Sequence, residues 1–171
     1  MQHIIILLDS SYSMYKYQEK VLYRFNECLS ILKTSKDVDN IFLTIILFHT
    51  EILYLCSSKN VKNINYFTSS DLIYYGKTYL YDAIGIVFND WLYDNNVKHK
   101  LYIITDGENV DNGSMFMKKE DITNMYNIAV NEYGWEIVYC NINISNSNIL
   151  KKYQTHDSID DIDELFTNIS I

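Results

Sequence analysis

The run His3-Ile4-Ile5-Ile6-Leu7-Leu8-Asp9-Ser10-Ser11-Tyr12-Ser13 decides how the rest of the chain is read. Its first six residues are β-rich and apolar without alternation, the pattern of a strand buried on both faces. The run then stops at an acid followed by hydroxyls. A strand covered on both sides needs helices to cover it, and the sequence supplies them in alternation. Over residues 14–33, Val21, Phe25, Cys28, Leu29 and Leu32 fall at helical spacing and give one buried stripe. Residues 41–48 repeat the continuous apolar pattern of the first strand. His49-Thr50-Glu51 is a tight connection to a strand over 52–56, which places that strand antiparallel at a sheet edge.

Residues 57–76 are polar and aperiodic, and read as irregular with one short helix. A helix over 79–93 carries Leu80, Ala83, Ile84, Val87, Phe88 and Trp91 on one side. A strand over 100–105 stops at Asp106-Gly107. A helix over 118–132, a strand over 135–144 and a terminal helix over 160–169 follow. This alternation predicts a three-layer α/β fold with a mostly parallel sheet, right-handed crossovers and helices on both faces. No linker, repeat or low-complexity stretch divides residues 1–171, so one domain is expected. Ligands of such folds bind at the C-terminal ends of the strands.

Composition narrows the function classes. With 48% hydrophobic and 21% charged residues, the 171-residue chain is an ordinary globular one. A net charge of −8 without a basic cluster argues against nucleic acid as the partner, because phosphate contacts need Lys and Arg. Cys28, Cys56 and Cys140 form neither a disulfide framework nor a CxxC pair, and read as buried free thiols in a reducing compartment. The apolar run at the N-terminus is too short for a signal peptide, and no run approaches a membrane span. The expected setting is the cytoplasm, away from membranes. Asn-x-Ser triplets at Asn112, Asn143 and Asn168 would matter only in a secreted protein. The weight of Ile, Asn, Tyr and Lys, with no proline, points to an AT-rich coding genome.

Three segments lie where connections leave the C-terminal edge of the sheet: Asp9 to Ser13, Gly76-Lys77-Thr78 and Thr105-Asp106-Gly107. Asp9 and Asp106 offer carboxylates; Ser11, Ser13 and Thr78 offer hydroxyls. Oxygen-only donors suit a hard cation, Mg²⁺ or Mn²⁺. Two carboxylates within about 4–6 Å repel one another unless a cation lies between them. Each segment alone has a plainer explanation as a helix N-cap; their joint placement is the more specific signal. His3, His49, His99 and His156 are scattered without zinc-site spacing. Lys77-Thr78 lacks the glycine-rich approach of a phosphate loop, and residues 108–113 lack calcium-loop spacing.

The pattern Asp9-x-Ser11-x-Ser13, then Gly76-x-Thr78-x-Leu80-x-Asp82-Ala83-Ile84, then Thr105-Asp106-Gly107 resembles the metal-ion-dependent adhesion site of von Willebrand factor A domains. Thr105-Asp106-Gly107-Glu108-Asn109 through Tyr133-Gly134-Trp135-Glu136 also resembles stand-alone A domains of bacteria, phages and large DNA viruses. The resemblance spans essentially the whole chain. It implies a Rossmann-like sheet of order 3-2-1-4-5, with a short sixth strand near residues 155–159. It also implies that Ser11, Ser13 and Thr78 place oxygens near a metal, with Asp9 and Asp106 binding directly or through water. A partner's carboxylate would complete the metal shell. One departure stands out: where the family has a small residue, most often Gly, this chain has Tyr12. A phenol there either narrows the entrance or adds an aromatic contact.

The leading expectation is therefore a non-enzymatic, metal-dependent protein-binding module whose partner presents an acidic side chain. Tyr12, Tyr75 and Lys77 would form its rim, and Tyr15, Tyr74 and Tyr79 also lie close by in sequence. Tyr gives large contact area at low entropy cost, although a chain with 16 tyrosines has some near any site. No Ser–His or Cys–His nucleophile can be assigned. Two alternatives remain. A Mg²⁺-dependent phosphotransferase of the haloacid dehalogenase type also puts Asp after the first strand, but it would need a second Asp where Ser11 stands. A scaffold that has lost metal binding is the other.

Overall fold

The computed structural model describes residues 1–106 and 114–141. Several sequence expectations lie outside these residues: Gly107, the turn at 108–113, strand residues 142–144, a sixth strand near 155–159 and the terminal helix over 160–169.

Among the described residues five strands form one sheet in the order β3-β2-β1-β4-β5, as expected. They are β1 (Gln2–Asp9), β2 (Ile41–Phe48), β3 (Ile52–Asn60), β4 (Lys98–Thr105) and β5 (Glu136–Asn141). β1 lies centrally, parallel to both β2 and β4, and β5 is parallel to β4. β3 runs antiparallel to β2 at the edge. Among the described residues three helices cover the sheet: α1 (Gln18–Lys33), α2 (Leu80–Trp91) and α3 (Lys119–Asn131).

The continuous apolar run of β1 is explained by its two burials. Ile4, Ile6 and Leu8 pack with Val21, Phe25, Leu29 and Leu32 of α1. Ile5 and Leu7 point to the opposite face and pack with Leu80, Ile84, Val87 and Phe88 of α2. The period-2 alternation thus exists, but both phases are apolar because both faces are covered. β4 repeats it, with Tyr102 and Ile104 toward α1 and Leu101 and Ile103 toward α2. α2 is buried almost all round, as expected for a helix held between a sheet and further chain.

Apart from shifts of one or two residues at element ends, sequence and structure differ at three places. The helix expected from residue 14 begins instead as a 3₁₀ turn, Tyr12–Tyr17, before α1 proper. Ser11 is extended there, and the Met14 amide donates to the Ser11 carbonyl at 3.0 Å, which drives the Met14 side chain into the core. The edge strand β3 runs four residues past the expected end at Cys56, through Ser57, Ser58, Lys59 and Asn60. An edge strand is half solvated, so its polar end carries no apolar signal. Its register against β2 shifts twice, between Leu43 and Ile45 and again between Ile45 and Ile46. Ser58 takes φ 44° at the first irregularity, where its amide donates to Thr44 Oγ1 at 2.8 Å. Finally, the short helix expected within residues 57–76 is a 3₁₀ turn, Val61–Asn63. The rest of that connection is irregular but anchored: Val61, Ile64 and Leu72 are buried against the α1 side. Asn26 of α1 pairs with both backbone groups of Phe67 at 2.8 Å.

The three cysteines are free, with Cys28 and Cys140 buried and Cys56 half-buried. Burial pushes the Cys28 thiol up to about 12. Among the described residues no helix is long and apolar enough to cross a membrane.

Candidate metal centre

The site is assembled by backbone hydrogen bonds before any side chain enters. Ser10 donates to the Phe48 carbonyl at 2.8 Å, tying the end of β1 to the end of β2. Tyr75 donates to the Ser10 carbonyl at 2.9 Å, and Tyr12 to the Gly76 carbonyl at 3.5 Å. Tyr79 donates to His49 at 3.2 Å. The loop carrying Thr78 is thereby pinned against the loop that follows β1. Gly76 makes this approach possible: its φ is +75°, and a Cβ there would sit 2.7 Å from Thr50 Oγ1.

Within this frame Asp9 and Asp106 are fully buried at the ends of the neighbouring strands β1 and β4. Asp9 Oδ1 accepts the Ser11 amide at 2.8 Å, and Oδ2 accepts the Thr105 hydroxyl at 2.6 Å. Ser11 Oγ and Ser13 Oγ lie 3.2 Å apart. Thr78 is buried between Gly76 and the start of α2. Burial raises the Asp9 carboxyl to about 6; hydrogen bonds from Thr105 and Ser11 oppose the shift, and the Asp106 charge adds to it. Burial first, then the charge of Asp9, likewise pushes the Tyr74 phenol up, which puts Tyr74 within electrostatic reach of the same carboxylate. Its buried hydroxyl meets no hydrogen-bond partner among the described residues.

The chemistry of this donor set fits a hard cation. Asp9 and Asp106 are two buried carboxylates, the Asp106 charge adds to the rise of Asp9, the Ser11 amide and the Ser11–Ser13 hydroxyl pair adjoin Asp9, and the Tyr74 hydroxyl meets no partner among the described residues. No group of three or more His, Cys, Asp or Glu side chains suited to a metal occurs among the described residues, so Ser and Thr oxygens are indispensable to such a site.

The expected rim residues divide. Tyr12 is 73% exposed and faces solvent, and Lys77 is exposed. Tyr75 is half engaged in the fold: its ring lies 4.0 Å from that of His49, and its hydroxyl donates to Glu51 at 3.1 Å. Tyr15 is exposed, with its ring edge-on to Tyr74.

Two residues matter here to which the sequence assigns no role, although both stand inside the segments that resemble the adhesion site. Thr105 orients Asp9, a pairing across 96 residues that only the β1–β4 register reveals. Asp82, in the first turn of α2, accepts three backbone amides from the segment after β4: Met115 at 2.7 Å, Phe116 at 3.0 Å and Met117 at 2.8 Å. Its place in the Thr78-x-Leu80-x-Asp82 run and in the first turn of a helix gave no hint of this clamp, since an acid there usually means no more than a favourable dipole contact.

No family model matches the sequence, and no curated protein matches it. Solved structures do. The ArnB paralog VWA2 from Sulfolobus acidocaldarius matches with a TM-score of 0.63 and 20% identity, over 99% of this chain and 44% of that one. BatB from Bacteroides thetaiotaomicron matches with a TM-score of 0.56 and 21% identity, over 82% of this chain and 66% of that one. The pilus adhesin SpaC from Lactobacillus rhamnosus GG, in its open conformation, matches with a TM-score of 0.71 and 12% identity, over 98% of this chain and 29% of that one. The chain thus spans between 29% and 66% of these relatives' lengths. At such identities the likeness concerns architecture alone. The class is an open α/β sheet with helices on both faces and an antiparallel edge strand. Within that class, the chain has the von Willebrand factor A fold.

Proposed function

We propose that this chain is a protein-binding module centred on a divalent cation, Mg²⁺ or Mn²⁺, held by Asp9, Ser11, Ser13, Thr78 and Asp106. The observation that carries the reading is the pair of fully buried carboxylates at the ends of β1 and β4, with Asp9 raised to about 6. Burying two like charges together is costly unless a counter-charge sits with them. A bound dication supplies that counter-charge and a coordination position for one outside oxygen. The chain's own residues do the rest. Thr105 and the Ser11 amide hold Asp9 in one orientation, and the hydroxyls of Ser11, Ser13 and Thr78 offer neutral donors. The outside oxygen comes from an acidic side chain of a partner, which Lys77 attracts and Tyr12 contacts. The shared architecture with a pilus adhesin supports a binding role over a catalytic one.

Thermal unfolding tests the reading. At a cation concentration about a hundredfold above Kd the folded state gains about 2.7 kcal/mol, which raises Tm by roughly 5–10 °C in a chain of this size. Chelator removes the gain. Asp9→Ala abolishes the cation response while leaving the metal-free Tm equal or higher, because a buried charge is lost. A wild-type Tm indifferent to both cations would refute the proposal. Mg²⁺-dependent turnover of an aryl phosphate that required Asp9 would replace it with the phosphotransferase reading.

A further inference from the structure

Beside the candidate metal centre lies a largely apolar groove of about 410 Å³. Its walls are Glu51 and Ile52 at the β2–β3 turn, Tyr79 just before α2, Ile86 of α2, and Met115 and Phe116. The Met115–Phe116 wall is held open by construction. Asp82 binds three consecutive amides, Ser114 Oγ accepts the Tyr81 amide at 3.0 Å, and Met117 packs onto Gly85, where a Cβ would come within 2.6 Å of its Cγ. With the backbone clamped on both sides, Met115 and Phe116 stay 68% and 84% exposed. A hydrophobic pair left in solvent by so many fixed contacts is a surface made for contact, and Met adapts readily to varied partners.

The groove is continuous with the proposed cation site. Tyr79 lines it one residue after Thr78, Glu51 accepts the Tyr75 hydroxyl, and Thr50 packs on Gly76. Charge along this surface is ordered as well: Lys77 stands on the site loop, and Glu51 stands at the groove wall. We propose that the groove is the second half of the partner-binding surface, taking a Leu, Met or Phe side chain from the same protein segment whose carboxylate reaches the cation. The favoured segment is thus acidic and apolar, with a basic residue tolerated opposite Glu51. This rests on the metal-dependent reading above.

The test selects random linear peptides displayed on phage against the full chain in Mg²⁺. Recovered peptides are then measured against wild type, wild type in chelator, Asp9→Ala, and the double variant Met115→Ser/Phe116→Ser. Both serine substitutions replace solvent-facing side chains, so the double variant keeps the wild-type Tm. The expected peptides pair an acid with a Leu, Met or Phe. They lose at least about tenfold in affinity on the double variant, since burying one such side chain is worth that much, and they lose binding in chelator. Peptides that bind the double variant as tightly as wild type, or recovery of no peptide, would overturn the groove's role; chelator sensitivity retained by such peptides leaves the metal reading standing. Groove-dependent binding indifferent to chelator and to Asp9→Ala would instead remove the metal reading and, with it, the two-point contact.

Discussion

Replacing Asp82 tests whether the segment after β4 is held as the geometry indicates. In Asp82→Ala three amides lose a carboxylate acceptor at 2.7 to 3.0 Å. Hydrogen bonds to a charged group are worth about 1.5–3 kcal/mol each when their partner stays buried. Met115 and Phe116 lie at the surface, so their amides regain water and the total falls to about 3 kcal/mol. Loss of a first-turn acid from α2 adds about 0.5 kcal/mol. For a chain of this length that lowers Tm by roughly 7–14 °C. Asp82→Asn keeps one oxygen, which retains the two bonds made by Oδ1 and turns an NH₂ toward the Met115 amide. It therefore costs about half as much. Denaturant titration measures both variants, and hydrogen exchange reads the amides directly. Protection at Met115, Phe116 and Met117 should collapse in the alanine variant, while at Met115 alone it should collapse in the asparagine variant. Unchanged protection of these amides in Asp82→Ala would refute the clamp, whatever happened to Tm.

A buried histidine and a closely approached glycine give two further outcomes. His3 is held neutral by burial, with a folded pKa of about 4 against 6.5 unfolded, and His99 beside it deepens the effect while Asp94 opposes it. A depressed histidine contributes its full stability above pH 6.5, and that stability is lost as pH falls toward 4; the ceiling is roughly 3 kcal/mol. Asp9 has the opposite slope in metal-free protein, so the measurement is the difference in denaturant stability between wild type and His3→Gln across that window. Equal slopes would contradict the assignment. Gly76→Ala places a Cβ 2.7 Å from Thr50 Oγ1 at a φ of +75°, and should cost about 1–2 kcal/mol. The cation-induced Tm shift should weaken as well, because the loop bearing Thr78 must move; a variant with wild-type stability would argue against the close approach.

Much of the fold was legible because its signals are local. The unbroken apolar runs of β1 and β2 announce two-sided burial, and the stripe from Val21 to Leu32 announces α1. The end of β3 was not legible, since Ser57, Ser58, Lys59 and Asn60 pair only at a solvated edge and around a register shift. The 3₁₀ start at Tyr12–Tyr17 was hidden because Met14 has helical company in sequence but is fixed by the extended Ser11. At the candidate site, Asp9, Ser11, Ser13 and Asp106 were readable as oxygen donors after strand ends, and Thr78 as one before a helix. Thr105 and Asp82 stand in the same segments, but their roles were not legible, because their partners are 96 and 33 to 35 residues away. The His3–His99 contact is of the same kind: two strands place in register residues that sequence keeps far apart.

The interlocking of the loops through main-chain bonds has an evolutionary consequence. Ser10 to Phe48, Tyr75 to Ser10, Tyr12 to Gly76 and Tyr79 to His49 are contacts that any side chain permits, apart from the glycine itself. Tyr12 and Lys77, pointing outward, carry none of that architecture in their side chains. Descendants of this chain are therefore free to rewrite those two letters and change whom they meet, while inheriting the same scaffold intact.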